Sequence, residues 1–146
     1  SPHDASLIIR GLRTLPIRME RVQSSTQVIV AALKGHKAIK RILYPFDVDF
    51  PQYELAKKQM TGCGGLFTIE FDLPDIEALL KVVSKVKRWK IAVSWGGHEA
   101  LMLPMAALYN LPGRDNPHIP WNYVRFYVGL EEPEYLLEDL LEALEI

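Results

Sequence analysis

Two stretches of strict period-two alternation sit far apart in the chain, GLFTIEF (65–71) and YVRFYVGL (123–130). Successive strand side chains point to opposite faces of a sheet, so each stretch must present one apolar face to a core. In the first, Phe67, Ile69 and Phe71 alternate with Thr68 and Glu70. In the second, Val124, Phe126, Val128 and Leu130 form the apolar face, while Tyr123, Arg125, Tyr127 and Gly129 point the other way. Segments of helical period lie between and beyond these strands. After Pro74 come Ile76, Leu79, Leu80, Val83 and Val86, and after Pro133 come Leu136, Leu137, Leu140, Leu141 and Leu144. A chain of this pattern has one economical solution, a sheet covered by helices.

The remaining elements follow from caps and breakers. Asp4 caps a first helix carrying Leu7, Ile8 and Leu12, and Pro16 marks a kink or restart before a second helix over about 17–34. IKRILYP (39–45) reads as a short strand, and PQYELAKKQM (51–60) as a helix with Pro in its first turn. KIAVSW (90–95) is a strand, followed by another around 100–103 and a proline-rich loop over 104–121. The order α-α-β-α-β-α-β-β-β-α predicts an α/β (α+β) layer, with helices on one face of a largely antiparallel sheet.

Composition narrows the function classes. With 146 residues the chain can bury a real core as one domain, and 49% apolar against 24% charged residues is ordinary for a globular protein. A net charge of −1 gives no reason to expect a nucleic-acid partner. Charge is nevertheless uneven: residues 1–41 hold eight Lys/Arg, and residues 131–146 hold seven Asp/Glu and no base, as solvated helix faces able to face each other. A single cysteine, Cys63, excludes an internal disulfide and fits a reducing compartment, so a cytoplasmic protein is expected. No apolar run is long enough to cross a bilayer.

Few residues recommend themselves for chemistry. Arg125, flanked by two tyrosines on one strand face, is a candidate fork for a carboxylate or phosphate, against the ordinary reading of a surface arginine. In KIAVSW, Ile91, Val93 and Trp95 share one face and Ala92 and Ser94 the other, so Ser94 can lie on the same side of the sheet as Arg125. Gly96 and Gly97 then permit a close approach, a bulge or a plain turn. No general base is spaced to activate Ser94, and Cys63 in TGCGG has none either. His3, His36, His98 and His118 lack ligand spacing, so no metal site is expected.

Five segments extend this reading. RGLRTLPIRMER (10–21), YP (44–45), PQYELAKKQMTGCGGLFTIEF (51–71), AVSWGGHEAL (92–101) and VRFYVGLEEPEYLLEDLLEAL (124–144) resemble, in order and spacing, one family. They are similar to the C-terminal domain of the pyridoxal-phosphate-dependent enzymes of cysteine and methionine metabolism, of the cystathionine β-lyase, cystathionine γ-synthase and methionine γ-lyase type. The resemblance implies the small C-terminal domain of a fold-type I enzyme, with pyridoxal 5'-phosphate bound to a lysine of an upstream domain absent from residues 1–146. It implies that Ser94 and Arg125 approach the substrate α-carboxylate and that Trp95 lines the same pocket. No catalytic residue is then expected within this chain, whose cofactor-binding residues belong to the upstream domain. The substrate implied is an amino acid such as cystathionine, methionine or an O-acyl homoserine, processed by a homotetramer or dimer through β- or γ-elimination or replacement. LPMAALYN stands where many γ-type members carry an HPASMTH-like segment, and Trp95 with GGHEALML is more like cystathionine β-lyase. The alternative from another class is a stand-alone, non-catalytic α/β binding or interaction module.

Overall fold

The computed structural model describes residues 1–145. The helices are α1 (Pro2–Arg13), α2 (Leu15–Leu33), α3 (Tyr53–Gln59), α4 (Ile76–Lys85) and α5 (Pro133–Leu144). The strands are β1 (Ile39–Leu43), β2 (Leu66–Phe71), β3 (Lys90–Ile91), β4 (Leu101–Pro104) and β5 (Tyr123–Tyr127), with a 3₁₀ turn at Met105–Leu108. They form one sheet in the order β1-β2-β5-β4-β3, antiparallel except for the parallel β3–β4 pair. The expected α/β layer with a mostly antiparallel sheet is what forms.

The core lies on one face of that sheet. Phe67, Ile69 and Phe71 of β2 and Val124 and Phe126 of β5 are each 3% exposed or less. Ile29 and Leu33 of α2, Leu79 of α4, and Leu136 and Leu140 of α5 cover them. Phe67 and Phe126 stack with centroids 5.1 Å apart, and Trp89 meets both edge-on, its indole N–H donating to the Leu136 carbonyl at 3.2 Å. Edge-to-face and offset packing of this kind adds to the burial of the rings themselves. Val22, Leu101 and Tyr127 make a second, smaller cluster, with Leu66, Ala92 and Leu130 against it.

Several local expectations change. Ser1, not Asp4, is the N-cap of α1; its hydroxyl accepts from the Asp4 amide, and Asp4 reciprocates as the third residue of a capping box. Pro51 lies in a turn before α3 rather than in its first helical turn. The strand expected over 90–95 pairs only through Lys90 and Ile91, with the Ala92 amide donating to the Met102 carbonyl, because the chain then turns away. Val128 still continues the main apolar face beyond the end of β5 at Tyr127, but Leu130, past Gly129, joins the small cluster instead. The basic early segment and acidic last helix do meet: Arg21 contacts Glu132 at 2.8 Å and donates to the Glu131 carbonyl at 3.2 Å.

Candidate functional site

The sheet face away from the main core carries the polar half of the alternation. Register places Arg125 of β5 between Thr68 of β2 and Leu103 of β4, with Tyr123 and Tyr127 on either side along its own strand. Arg125 is half-buried, and its Nη2 donates to the main-chain carbonyls of Val93 and, at 3.3 Å, Ser94. Arg125 and the Ser94 segment are thus together on one side of the sheet. It is the Ser94 carbonyl that the guanidinium engages, and the residue itself is exposed. A guanidinium has five N–H donors in a planar fork, so an arginine held through Nη2 keeps donors for an anion.

The segment 92–100 is fastened to the end of β5 at several points. Arg125 holds Val93 and Ser94, the Tyr127 hydroxyl donates to the Gly97 carbonyl at 3.0 Å, and the Leu130 amide donates to the His98 carbonyl at 2.8 Å. The Ala100 amide donates to Glu131 Oε1 at 2.8 Å. Gly129 makes this possible: a Cβ there would overlap the Glu131 carboxylate, the His98 carbonyl and Glu99. Gly96 has φ of 87°, a conformation L side chains rarely adopt, and no atom lies near its missing Cβ. The glycine pair therefore makes a turn, and the close backbone approach is at Gly129.

Trp95, 61% exposed, forms one wall of an open cleft of about 420 Å³ whose other walls include Leu15, Met19, Leu66, Tyr127 and Leu130. Cys63 reaches the same cleft, and burial pushes its thiol up despite the opposing hydrogen-bond effect of Tyr44. A thiol so shifted is a poor nucleophile at neutral pH.

One polar feature of this face has no counterpart in the period-two pattern. Alternation assigns Glu70 to the face opposite the core, yet it is only 5% exposed. Lys40 reaches its Oε1 at 2.7 Å, and Arg41 and the Tyr123 hydroxyl donate to its Oε2 at 2.5 and 3.0 Å. Burial pushes the Glu70 carboxyl up, but hydrogen bonds from Lys40, Tyr123 and Arg41 outweigh it and hold the group below its ordinary value. The only signal for this cluster is the pairing of Arg41 with Glu70 across β1 and β2, which needs the register.

Two of the lysines that could carry a phosphorylated pyridine aldehyde are already held by carboxylates. Lys34 is engaged with Asp47 and Asp49, and Lys40 with Glu70. The N-termini of α4 and α5, which could hold a phosphate, have the acidic caps Asp75 and Glu132. Among the described residues there is also no group of three or more His, Cys, Asp or Glu able to hold a metal, and no helix long and apolar enough to cross a membrane. What the open face offers is the Arg125 guanidinium, engaged through Nη2, beside a clamped loop and a cleft walled by Trp95 and Tyr127, with Arg18 at its edge.

Comparison with known proteins defines the class further. A family model described as "Cys/Met metabolism PLP-dependent enzyme" matches residues 1–145, and the chain belongs to that family. It is 40% identical to an L-methionine gamma-lyase of Treponema denticola, over 99% of this chain and 37% of that protein. It is 38% identical to an L-alanine/L-glutamate racemase of Wolbachia pipientis, over 97% of this chain and 36% of that protein. It is 37% identical to a cystathionine beta-lyase of Lactococcus lactis, over 99% of this chain and 38% of that protein. The chain therefore spans little more than a third of the length of these relatives. Their near-equal identities give no preference to the β-lyase features noted in the sequence.

Proposed function

We propose that residues 1–146 are the C-terminal, substrate-carboxylate domain of a pyridoxal-phosphate-dependent enzyme. Its cofactor domain, with the lysine that carries the cofactor, precedes this chain. The reaction proposed is β- or γ-elimination or replacement on a sulfur-containing amino acid such as cystathionine, methionine or an O-acyl homoserine. The single observation that carries the proposal is the convergence of Arg125 with the Ser94 main chain on the sheet face opposite the main core. Arg125 would fork the substrate α-carboxylate, Ser94 would add a hydroxyl donor, and Trp95 would close the pocket's apolar wall. When bound, the cofactor supplies the electron sink for loss of the α-proton. The residues of this chain bind and orient the amino acid so that the proton lies in reach.

Two further features support this reading over a stand-alone binding module. In α1, no residue is buried, and Leu7, Ile8, Ile9 and Leu12 are each at least 52% exposed. An apolar stripe of that extent suits a surface that other protein covers. The relatives are also far longer than this chain. Assembly as a homotetramer or dimer and a cytoplasmic location complete the proposal. Its test is to purify the full-length protein, record the visible absorption of bound pyridoxal phosphate, and assay thiol and keto-acid release from L-cystathionine and L-methionine. Absence of both the band and the products rejects it.

A further inference from the structure

The loop expected to carry Ser94 and Trp95 is fixed at both ends by elements that contact it elsewhere. At its start, Arg125 holds the Val93 and Ser94 carbonyls, and at its end the Leu130 amide and Glu131 Oε1 hold His98 and Ala100. Between them lies the turn with its left-handed Gly96. Among the described residues, Tyr127 is the one side chain that hydrogen-bonds the glycine pair, donating to the Gly97 carbonyl at 3.0 Å. Its ring is 6% exposed, packed with Val22 and Leu101. Tyr127 is an outward-facing neighbour of Arg125 on β5, two residues along the strand.

We propose that Tyr127 is a positioning residue. By holding Gly97, it fixes the loop carrying Ser94 and Trp95 at the distance from Arg125 at which one carboxylate can be gripped by both Ser94 and Arg125. The inference rests on the carboxylate role proposed above. A turn containing two glycines has many accessible conformations, so without an anchor most of them leave Ser94 displaced from the fork. The phenol suits this role. Burial pushes its pKa up, Arg18 opposes this, and Glu99 and Glu131 add to it, so it remains an O–H donor at neutral pH. The Tyr127 ring lines the Trp95 cleft, but its hydroxyl is engaged with the Gly97 carbonyl and meets no substrate in this scheme. It acts only through the loop.

The test uses the full-length holoenzyme with Tyr127→Phe, which keeps the buried ring and removes the donor. With L-methionine or L-cystathionine, KM should rise about fivefold while kcat stays within twofold, as expected for loss of one neutral hydrogen bond. L-Methioninamide, which has no carboxylate, should bind both proteins alike in a titration of the visible band. Hydrogen exchange in a peptide covering 95–100 should speed up, with the rest of the protein unchanged. Parent KM, parent exchange, or an equal loss with the amide probe overturns the proposal, and so does a variant too unstable to hold cofactor, which would make Tyr127 a packing residue. Arg125→Lys separates the two levels. If it keeps the parent KM, the carboxylate role itself fails, whereas an impaired Arg125→Lys beside a normal Tyr127→Phe removes only the loop inference.

Discussion

Among the described residues, Arg125 hydrogen-bonds Val93 and Ser94 through Nη2 alone, which leaves Nε and Nη1 for the carboxylate proposed above. Removing it should therefore act on binding far more than on folding. Hydrogen bonds to charged groups contribute roughly 1.5–3 kcal/mol each, so Arg125→Ala in the full-length enzyme should lower kcat/KM at least about a hundredfold. Unfolding stability should change by less than about 1 kcal/mol, the scale of a lost partly exposed contact. Steady-state kinetics and urea unfolding on the same preparation measure both. At Glu70 the sign is set by a depressed pKa. Its stabilising contribution is complete above the unfolded value, about 4.3, and disappears as pH falls through the lower folded value. Glu70→Gln should therefore be less stable than the parent at neutral pH, by about 1–2 kcal/mol, and should lose less stability below about pH 4.3. Unfolding curves measured from pH 7 to pH 3 compare the two slopes.

At the scale of elements, α5 does more than bury a stripe. Leu136, Leu140 and Leu144 are core residues, as the leucine spacing predicts, but Leu141 is exposed and Asp139 is 4% exposed. The Asp139 carboxylate accepts from the Lys87 amide at 3.0 Å and the Arg88 amide at 2.8 Å, and so ties the end of α4 and the approach to β3 onto α5. Asp139→Ala leaves two amides without that partner and should cost about 2–4 kcal/mol, with Asp139→Asn milder because one oxygen remains. Chemical denaturation checks the order of the two variants. Because β3 leads directly into the Ser94 loop, the Ala variant should also weaken the carboxylate binding proposed above.

Across the whole molecule, charge and apolar surface are distributed unevenly. The basic first segment meets the acidic last helix through Arg21 and Glu132, while α1 leaves its leucines and isoleucines exposed. Produced alone, residues 1–146 should associate in a concentration-dependent way, measurable by light scattering, and should bind pyridoxal phosphate without saturation. A monomer with saturable cofactor binding would instead favour the stand-alone module. Substituting Leu7, Ile8 and Leu12 with Ser should reduce that association without altering the fold, since none of the three is buried.

The sequence by itself determined the element order and which face of β2 and β5 meets the helices. Both depend on periodicity, a local property of the chain: Phe67, Ile69, Val124 and Phe126 are buried where alternation puts them. It also placed Arg125 on the opposite face and allowed Ser94 the same side. Only the tertiary structure decided that β3 ends at Ile91, that the glycine pair is a turn while Gly129 admits the neighbouring backbone, and that Tyr127 reaches Gly97. It alone buried Glu70 among Lys40, Arg41 and Tyr123, and Asp139 against the amides of 87 and 88. The physical reason is common to all of these. Each is settled by a partner distant in the chain, and residue period and propensity carry no record of which distant groups a sheet register will bring together.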